Sequence, residues 1–544
     1  MLPRSVDAVV IGAGPNGLVS AITLADAGWD VLVLEAADDF GGAVRSTSDG
    51  GWISDRFSSN YPLGVASPVI RALELEKYGL KWANAPLPLV HLLDENGAAA
   101  AIHPDPEDTA KSLGAEHPGD GDAWLRLYQQ YVSIREPLLK ALLTSWPPIA
   151  PGVRLARKLG SAGELLRFAR FMAMPMHRMG LELFDGRHGP AILAGNALHA
   201  DAPLSGSVSG TMGWLLAMLA QDVGYPVAAG GSSAFSGALV RRAERAGALM
   251  VPGMPVTGID VSAGRVTAVR TASGETVSVE RAVIADTSAP SLYGELLPEA
   301  LVPAGLRRDL DERFEWDYPT VKLNLRLSGP IPWIAEEARS AGVVHLGGTA
   351  DDLVHLSADL DTGRVPSQPF LLIGQTTKSD PSRSPEGTEA VWAYAHLPRG
   401  IADDASAEKL AGRMERAIER YAPGFGELVI ARDLQRPSAL ESGNAALGFG
   451  ALGGGTMQLH QQLVFRPTIG LGSARTFVNG LYLGSSAIHP GGGVHGACGH
   501  LAARTALRDA DHAAARADAL QFPGGDAVPG AGGEDRQDGQ SEKG

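Results

Sequence analysis

The stretch VDAVVIGAGPNGLVSAITLADAGWDVLVLE, residues 6–35, decides how the rest of the chain is read. It opens on a short apolar, β-branched run at 6–11, which predicts a buried parallel strand. A helical pattern starts at Pro15 and ends at Gly28, and residues 31–34 predict a second strand. Gly12, Gly14 and Gly17 stand between strand and helix. Gly12 permits the sharp turn, Gly14 lets the backbone approach a pyrophosphate, and Gly17 lets the helix pack on the strand. The helix N-terminus then offers free N–H groups and a partial positive charge to phosphates. Glu35 closes the second strand, where a carboxylate accepts hydrogen bonds from both ribose hydroxyls. Glycine spacing alone is a weak signal. In register with a strand, a helix and a terminal acid, it predicts a βαβ dinucleotide unit at the start of a doubly wound α/β sheet.

That unit does not say which dinucleotide is held. In FGGAVRS, residues 40–46, Gly41 and Gly42 permit a second close backbone approach, and Arg45 can pair with a phosphate. NGLYLGSSAIHPGGGVHGACGHLAARTAL, residues 479–507, reads as a strand, a glycine turn and a second helix start. An extended dinucleotide would meet that helix with its far end.

The intervening chain predicts a hairpin turning at Asn96-Gly97 and a helix from about Asp122. Residues 228–251 read as loop, helix and strand. Residues 256–286 read as a three-stranded meander turning at Ala263-Gly264 and Ser273-Gly274. Residues 320–328 alternate as a half-buried strand should, and FLLIGQTT and AVWAYAHL join the same second sheet. An amphipathic helix stops at Pro423. After about residue 516 the chain is rich in Gly, Pro and charge, which predicts a disordered tail over 517–544.

With these motifs in place, the chain resembles the phytoene desaturase-like FAD-dependent oxidoreductases, most of all the branch called pyridine nucleotide-disulfide oxidoreductase domain-containing protein 2. The resemblance runs to about residue 510. It rests on the N-terminal fingerprint, the Gly41-Gly42 pair, AAGGSSAFSGAL at 228–239, VFRP at 464–467 and HPGGGV at 489–494. Ile488 stands where the carotenoid desaturases favour threonine, and Ser485 where a glycine is usual. These departures bear on the substrate, not on the flavin.

The resemblance implies FAD as cofactor. It also implies a discontinuous Rossmann-like, glutathione-reductase-like FAD domain with an inserted α+β substrate domain. The segments are FAD domain 1–75, 223–292 and 469–516, and substrate or lid domain 76–222 and 293–468. It assigns FAD contacts to Gly12, Gly14, Gly17, Glu35, Gly42, Arg45, Val256, Gly484, Gly492, Gly493 and Val494. Val256 would offer its amide to adenine, or is plain strand core. The implied activity is hydride transfer from an apolar, isoprenoid-like molecule to flavin N5, with oxygen, a quinone or another acceptor for reoxidation. A flavin amine oxidase and a redox-neutral FAD isomerase are the enzyme alternatives. A prenyl- or protein-binding regulator of the GDP-dissociation-inhibitor type is the non-enzyme alternative. The amine oxidase would call for an aromatic cage, and no Trp or Tyr pair lies near His489 in sequence.

Because flavin carries the difficult chemistry, acid-base signals are weak. His489 precedes the flavin-side loop and could polarise a group near the ring; a turn histidine bonded to backbone is the preferred reading. Arg466 suits a substrate carboxylate, a flavin oxygen or a structural ion pair. His460 lies in a polar run near Arg466. Asp55 either returns toward the flavin or caps a turn. His199 is isolated and reads as a satisfied loop histidine.

The bulk properties narrow the class. The chain has 544 residues, 44% apolar, with a formal charge of -15, which argues against a general nucleic-acid binder. Cys498 is the only cysteine, so a disulfide framework, a dithiol pair and a cysteine-based zinc site are excluded. No metal-ligand spacing, Ser-His-Asp order or Walker loop is found. The N-terminus lacks a signal-peptide core, and runs such as WLLAMLA are too short to span a bilayer. A cytoplasmic protein is expected, with at most peripheral membrane contact through 153–180. There Arg154, Arg157, Lys158, Arg167 and Arg170 oppose Leu155, Leu159, Leu165, Phe168 and Met172. A membrane-surface helix or an ordinary lid helix with a solvated basic face fits, and the lid is preferred.

Overall fold

A computed structural model of the protein describes residues 2–521. Residues to Ala506 form one compact unit, and the chain from Leu507 forms a second. The opening stretch folds as strand Ser5–Ile11, helix Pro15–Asp26 and strand Val31–Leu34. Pro15 takes the first helical position, where its missing N–H costs nothing. Ser5–Ile11 pairs in parallel with Val31–Leu34 on one side and Thr276–Ala285 on the other. Leu249–Val251 and Leu481–Leu483 extend the parallel set at its two flanks. The strands Val256–Ser262, Arg265–Thr271 and Thr276–Ala285 form the expected antiparallel meander. The first sheet is therefore collected from both ends and the middle of the chain. Val9, Val10, Leu32, Val33, Val283 and Ile284 are fully buried, as a parallel sheet covered on both faces requires.

The second sheet runs in the order Val429–Gln435, Thr320–Leu327, Glu389–His396, Leu371–Gln375, Ala341–Leu346, Leu87–Leu92 and Ala99–Ile102. On one face Val321, Leu323 and Leu325 belong to the core made with Leu410, Met414 and Ile418 of the helix Asp404–Tyr421. On the other, Thr320, Lys322 and Asn324 stand directly opposite His396, Tyr394 and Trp392. The half-buried reading of 320–328 is thus corrected: seven of the eight residues of Thr320–Leu327 are buried. Alternation separates an apolar face from a polar one, but here both are covered.

Helices between Pro106 and Val223 pack around Trp124, Tyr131 and Trp214. The helix expected from Asp122 begins at Pro118, because proline suits a first helical turn. The 153–180 segment is not one helix. Gly160, at φ +88, ends Ile149–Leu159, and Met174-Pro175 separates Ala162–Ala173 from Met176–Leu183. Met174, Met176 and Met179 are buried in the helical core. The last helix, Ala497–Gln521, runs past the expected end near 516. The tail expected over 517–544 lies, beyond Gln521, outside the described residues. Among the described residues no helix is long and apolar enough to cross a membrane.

Candidate active site

Gly12 leaves the central strand at φ +91, where L side chains are strained. A Cβ there would meet the Asp286 carbonyl at 2.8 Å, and a Cβ on Gly17 would lie 2.2 Å from the Gly12 carbonyl oxygen. Strand, turn and helix therefore close more tightly than any side chain allows. Over this turn opens a cavity of 470 Å³, walled by the N-terminal loops, the end of the strand Thr276–Ala285 and the loops between 442 and 495. Gly12, Gly14, Glu35, Gly42, Arg45, Val256, Gly492, Gly493 and Val494 all line it. Gly17 and Gly484 do not. Gly17 serves the strand–helix contact, and a Cβ on Gly484 would press on Ile284 at 2.7 Å.

The polar groups fit an extended dinucleotide. Glu35 ends its strand with Oε2 accepting from the Ala13 amide at 2.7 Å and Oε1 from the Ala37 amide at 2.9 Å. These bonds fix the carboxylate at the cavity wall and leave each oxygen a further lone pair. Arg45 is buried and donates to the Gly42 carbonyl at 2.8 Å, to Asp39 and to the Gly443 carbonyl. Its first task is to tie the Gly41-Gly42 turn to the 443 loop.

Two groups in this wall were not singled out from sequence. Asp286 follows the strand Thr276–Ala285 and accepts from the Gly17 amide at 2.8 Å. Burial, and then the neighbouring Glu35, push its pKa up to about 7, against hydrogen bonds from Gly17 and Gly14. The signal available was its place at the carboxyl end of the strand beside the first one, where α/β sheets bind ligands. His495 accepts from the Ala497 amide at 3.0 Å through Nδ1, and its Nε2 lies 3.1 Å from the Gly491 carbonyl. It locks the turn that starts the last helix.

A second cavity of 330 Å³ adjoins the first. Ala43, Leu447, Leu452, Gly492, Gly493, Val494 and His495 line both. The rest of its wall is largely apolar, with Leu142, Leu143, Met212, Leu215, Leu216 and Leu219 from the helical layer. The polar sheet face supplies Thr320, Lys322, Trp392 and Tyr394. Lys322 is buried and donates to the Asp55 and Phe57 carbonyls at 2.6 and 2.8 Å. Burial pulls its pKa down to about 8, against the pull of Asp55. Trp392 and Tyr394 form the aromatic pair not found near His489 in sequence. Their rings stack at 5.8 Å between centroids and 17°. An aromatic or amine group held between two rings needs roughly 7 Å, two contact distances. This pair makes one wall, not a cage.

The expected catalytic residues fall outside both cavities. Asp55 is buried and paired with fully buried Arg383 at 3.0 Å, while accepting from the Ser232 amide and the Ser59 hydroxyl. It anchors loops. Arg466 is fully buried and donates to the carbonyls of Ser486, Thr456, Gly453 and Gly455. It is a backbone clamp, neither an ion pair nor an anion site. His460 is half exposed, 3.4 Å from Glu315. His489 is buried against Trp146 and the backbone of Leu142 and Thr144; burial first, and Arg466 second, pull its pKa down to about 4. His489 lies in a turn, and its buried Nε2 has no hydrogen-bond partner. His199 is a correction: it ends the helix His188–His199, stacks on Tyr225 and lines the apolar cavity. Its neighbours come from elements far apart in sequence.

Comparison with known proteins agrees with this geometry. The chain is 29% identical to pyridine nucleotide-disulfide oxidoreductase domain-containing protein 2 of Rattus norvegicus, over 93% of this chain and 94% of that protein. It is 27% identical to hydroxyneurosporene desaturase of Cereibacter sphaeroides, over 89% and 94%. The fold matches wild-type putrescine oxidase bound to putrescine with a TM-score of 0.58 at 16% identity, covering 93% and 99%. A family model described as FAD dependent oxidoreductase matches residues 7–303, more than half of the chain. The protein belongs to the FAD dependent oxidoreductase family, is an oxidoreductase, and uses FAD as its cofactor.

Proposed function

We propose that the protein oxidises or desaturates an apolar small molecule held in the 330 Å³ chamber, passing a hydride to FAD in the 470 Å³ cavity. The observation that carries this reading is the shared wall. The two spaces meet at Ala43 and at 492–495, so a ligand in one touches the same residues as a ligand in the other. When bound, FAD supplies the hydride acceptor. The protein's part is to hold the substrate bond against it and exclude water, which an apolar chamber does. The curated desaturase relative, by its name, acts on hydroxyneurosporene. Gly12, Gly14, Glu35, Gly42, Val256 and 492–494 are the proposed FAD contacts, with Arg45 and Asp286 bracing them.

The first experiment is the visible spectrum of the purified protein, with release and quantitation of the chromophore. A flavin spectrum at about one FAD per chain is expected, as one dinucleotide fingerprint implies. Anaerobic bleaching by candidate apolar substrates then reads hydride transfer. Protein that stays colourless in excess FAD would reject the reading.

The substrate is delivered, in this proposal, from an anionic lipid surface. The helix Ile149–Leu159 has no buried residue, and Ala162–Ala173 only Phe168. Ile149 and Leu166 are each 73% exposed. Arg154, Arg157 and Lys158 have no ion-pair partner among the described residues, on a chain whose net charge is -15. Leu142 and Leu143, just before this segment, line the chamber. Three such cations are worth about 3 kcal/mol at an anionic surface, roughly a hundredfold in partitioning. Co-sedimentation at low salt should therefore favour phosphatidylcholine–phosphatidylglycerol vesicles over phosphatidylcholine alone. Ile149→Asp with Leu166→Asp should abolish binding with flavin content intact. Equal binding to both vesicles, or a dimer that these substitutions dissolve, would replace the lipid reading.

A further inference from the structure

One region of the apolar chamber is not apolar. Thr320 is 1% exposed, lines the chamber, and its Oγ1 has no hydrogen-bond partner. Asp201 also lines the chamber, 9% exposed, at a left-handed φ of 54 just past the helix His188–His199. His396 stands directly across from Thr320 in the sheet register, with Nε2 2.9 Å from Asp201 Oδ1. The charges attract, yet neither of those two atoms completes a hydrogen bond. Burial pulls the His396 pKa down, but Asp201 outweighs it and holds the imidazole above its ordinary value. A hydroxyl with no hydrogen-bond partner, and a carboxylate whose Oδ1 faces His396 without completing a hydrogen bond, thus adjoin a largely apolar chamber. Polar atoms left unpaired in such a place are costly, so a ligand that pairs them is favoured over one that does not.

We propose that Thr320 and Asp201, backed by His396, form a subsite for an alcohol, so that the substrate is an apolar body carrying one hydroxyl terminus. This rests on the reading that the chamber holds the substrate. A hydroxyl matches both groups at once. Its O–H donates to the Asp201 carboxylate, and its oxygen accepts from the Thr320 O–H. An ammonium suits the site less, because His396 already balances Asp201 and Lys322 adds a positive charge to the same chamber wall. A carboxylate would face Asp201 and the nearby Asp317, whose pKa burial and then the Asp201 charge already push up. A hydrocarbon end leaves the Thr320 hydroxyl without a partner and adds no hydrogen bond to Asp201.

The test uses the flavin-loaded protein and four probes with the same eight-carbon chain: 1-octanol, 1-methoxyoctane, octylamine and octanoate. Binding is read by perturbation of the flavin absorption and, independently, by the shift in melting temperature. 1-Octanol should bind about tenfold more tightly than 1-methoxyoctane, which accepts but cannot donate. Asp201→Asn should bring that ratio close to one while leaving 1-methoxyoctane affinity within about twofold, and Thr320→Val, which removes the donor that the oxygens of both probes accept from, should weaken both severalfold while keeping the ratio. Both variants suit the fold: valine matches threonine in shape, and asparagine tolerates the left-handed backbone at 201. A ratio of one in the wild type, or tightest binding of octylamine or octanoate, overturns the alcohol subsite. If none of the four probes binds to flavin-loaded protein, the chamber itself is refuted as the substrate site, which is a different result from binding without preference.

Discussion

A Gly12→Val variant is expected to purify colourless, and to stay so in excess FAD. Two penalties coincide at this position. The backbone sits at φ +91, which a β-branched residue adopts only under strain. The added Cβ would also lie 2.8 Å from the Asp286 carbonyl, which is backbone and cannot swing away. Relief requires the turn to move off the strand end, and the turn carries the amides at the helix N-terminus that face the phosphates. Loss of FAD compounds the damage, because a ligand held only by the folded state stabilises it by mass action. Gly28→Ala is the matched control. It also has a positive φ, +83, but nothing lies within 4 Å of its added Cβ, and it is remote from the cavity. It should lower stability by about 1–2 kcal/mol and retain full flavin content. Flavin-to-protein absorbance with far-UV circular dichroism distinguishes the cases. A Gly12→Val protein that keeps one FAD per chain would contradict the cradle described above.

Acid should unfold this protein early. His91, His199, His489 and His495 are held by burial at pKa values of about 4, and burial pulls His345 well below its ordinary value. In the unfolded chain such groups take up protons near pH 6.5, while in the fold they remain neutral down to about 4. The unfolded state thus binds more protons throughout that window. The stability these groups allow is fully present above about pH 6.5 and is lost as pH falls toward 4. Each imidazole contributes a slope of about 1.4 kcal/mol per pH unit. Asp286 and Asp317 act in the opposite sense. Burial lifts both to about 7, so the proton favours the fold and their contribution grows as pH falls from about 7 to 4. His396, raised by Asp201, is protonated in both states below about pH 6.5 and adds nothing there.

Five imidazoles against two carboxyls leave a net slope of about 4 kcal/mol per pH unit, and His500, also lowered by burial, adds in the same sense. That would cancel a typical stability of about 5–15 kcal/mol within two or three units. Urea midpoints should fall steeply between pH 7 and 5, with protons taken up on unfolding. A flat or rising midpoint over that range would mean that these histidines are charged in the fold.

The dinucleotide unit was legible in the sequence because its determinants are local. Gly12, Gly14, Gly17 and Glu35 lie within 24 residues, and each answers a short-range demand: a turn, a close approach, a packed helix, a terminal acid. The meander at 256–286 was legible for the same reason, with β-branched runs cut by glycine turns. The HPGGG run at 489–493 announced a second glycine loop, and the fold brought it to the first.

What the second sheet faces was decided only by the tertiary structure. Alternation in 320–327 shows that the strand has two unlike faces, but not what covers the polar one. The answer came from Trp392 and Tyr394 on the next strand and from His199 and Asp201 at a helix end, more than a hundred residues away. Arg466 and Asp55 show the same dependence on distant partners. Their residue types suit catalysis, but the carbonyls and the guanidinium that occupy them come from other loops. A sequence pattern encodes which side of an element is buried. The partner that buries it, and so the chemistry of an enclosed chamber, is fixed by which distant elements the packing brings together.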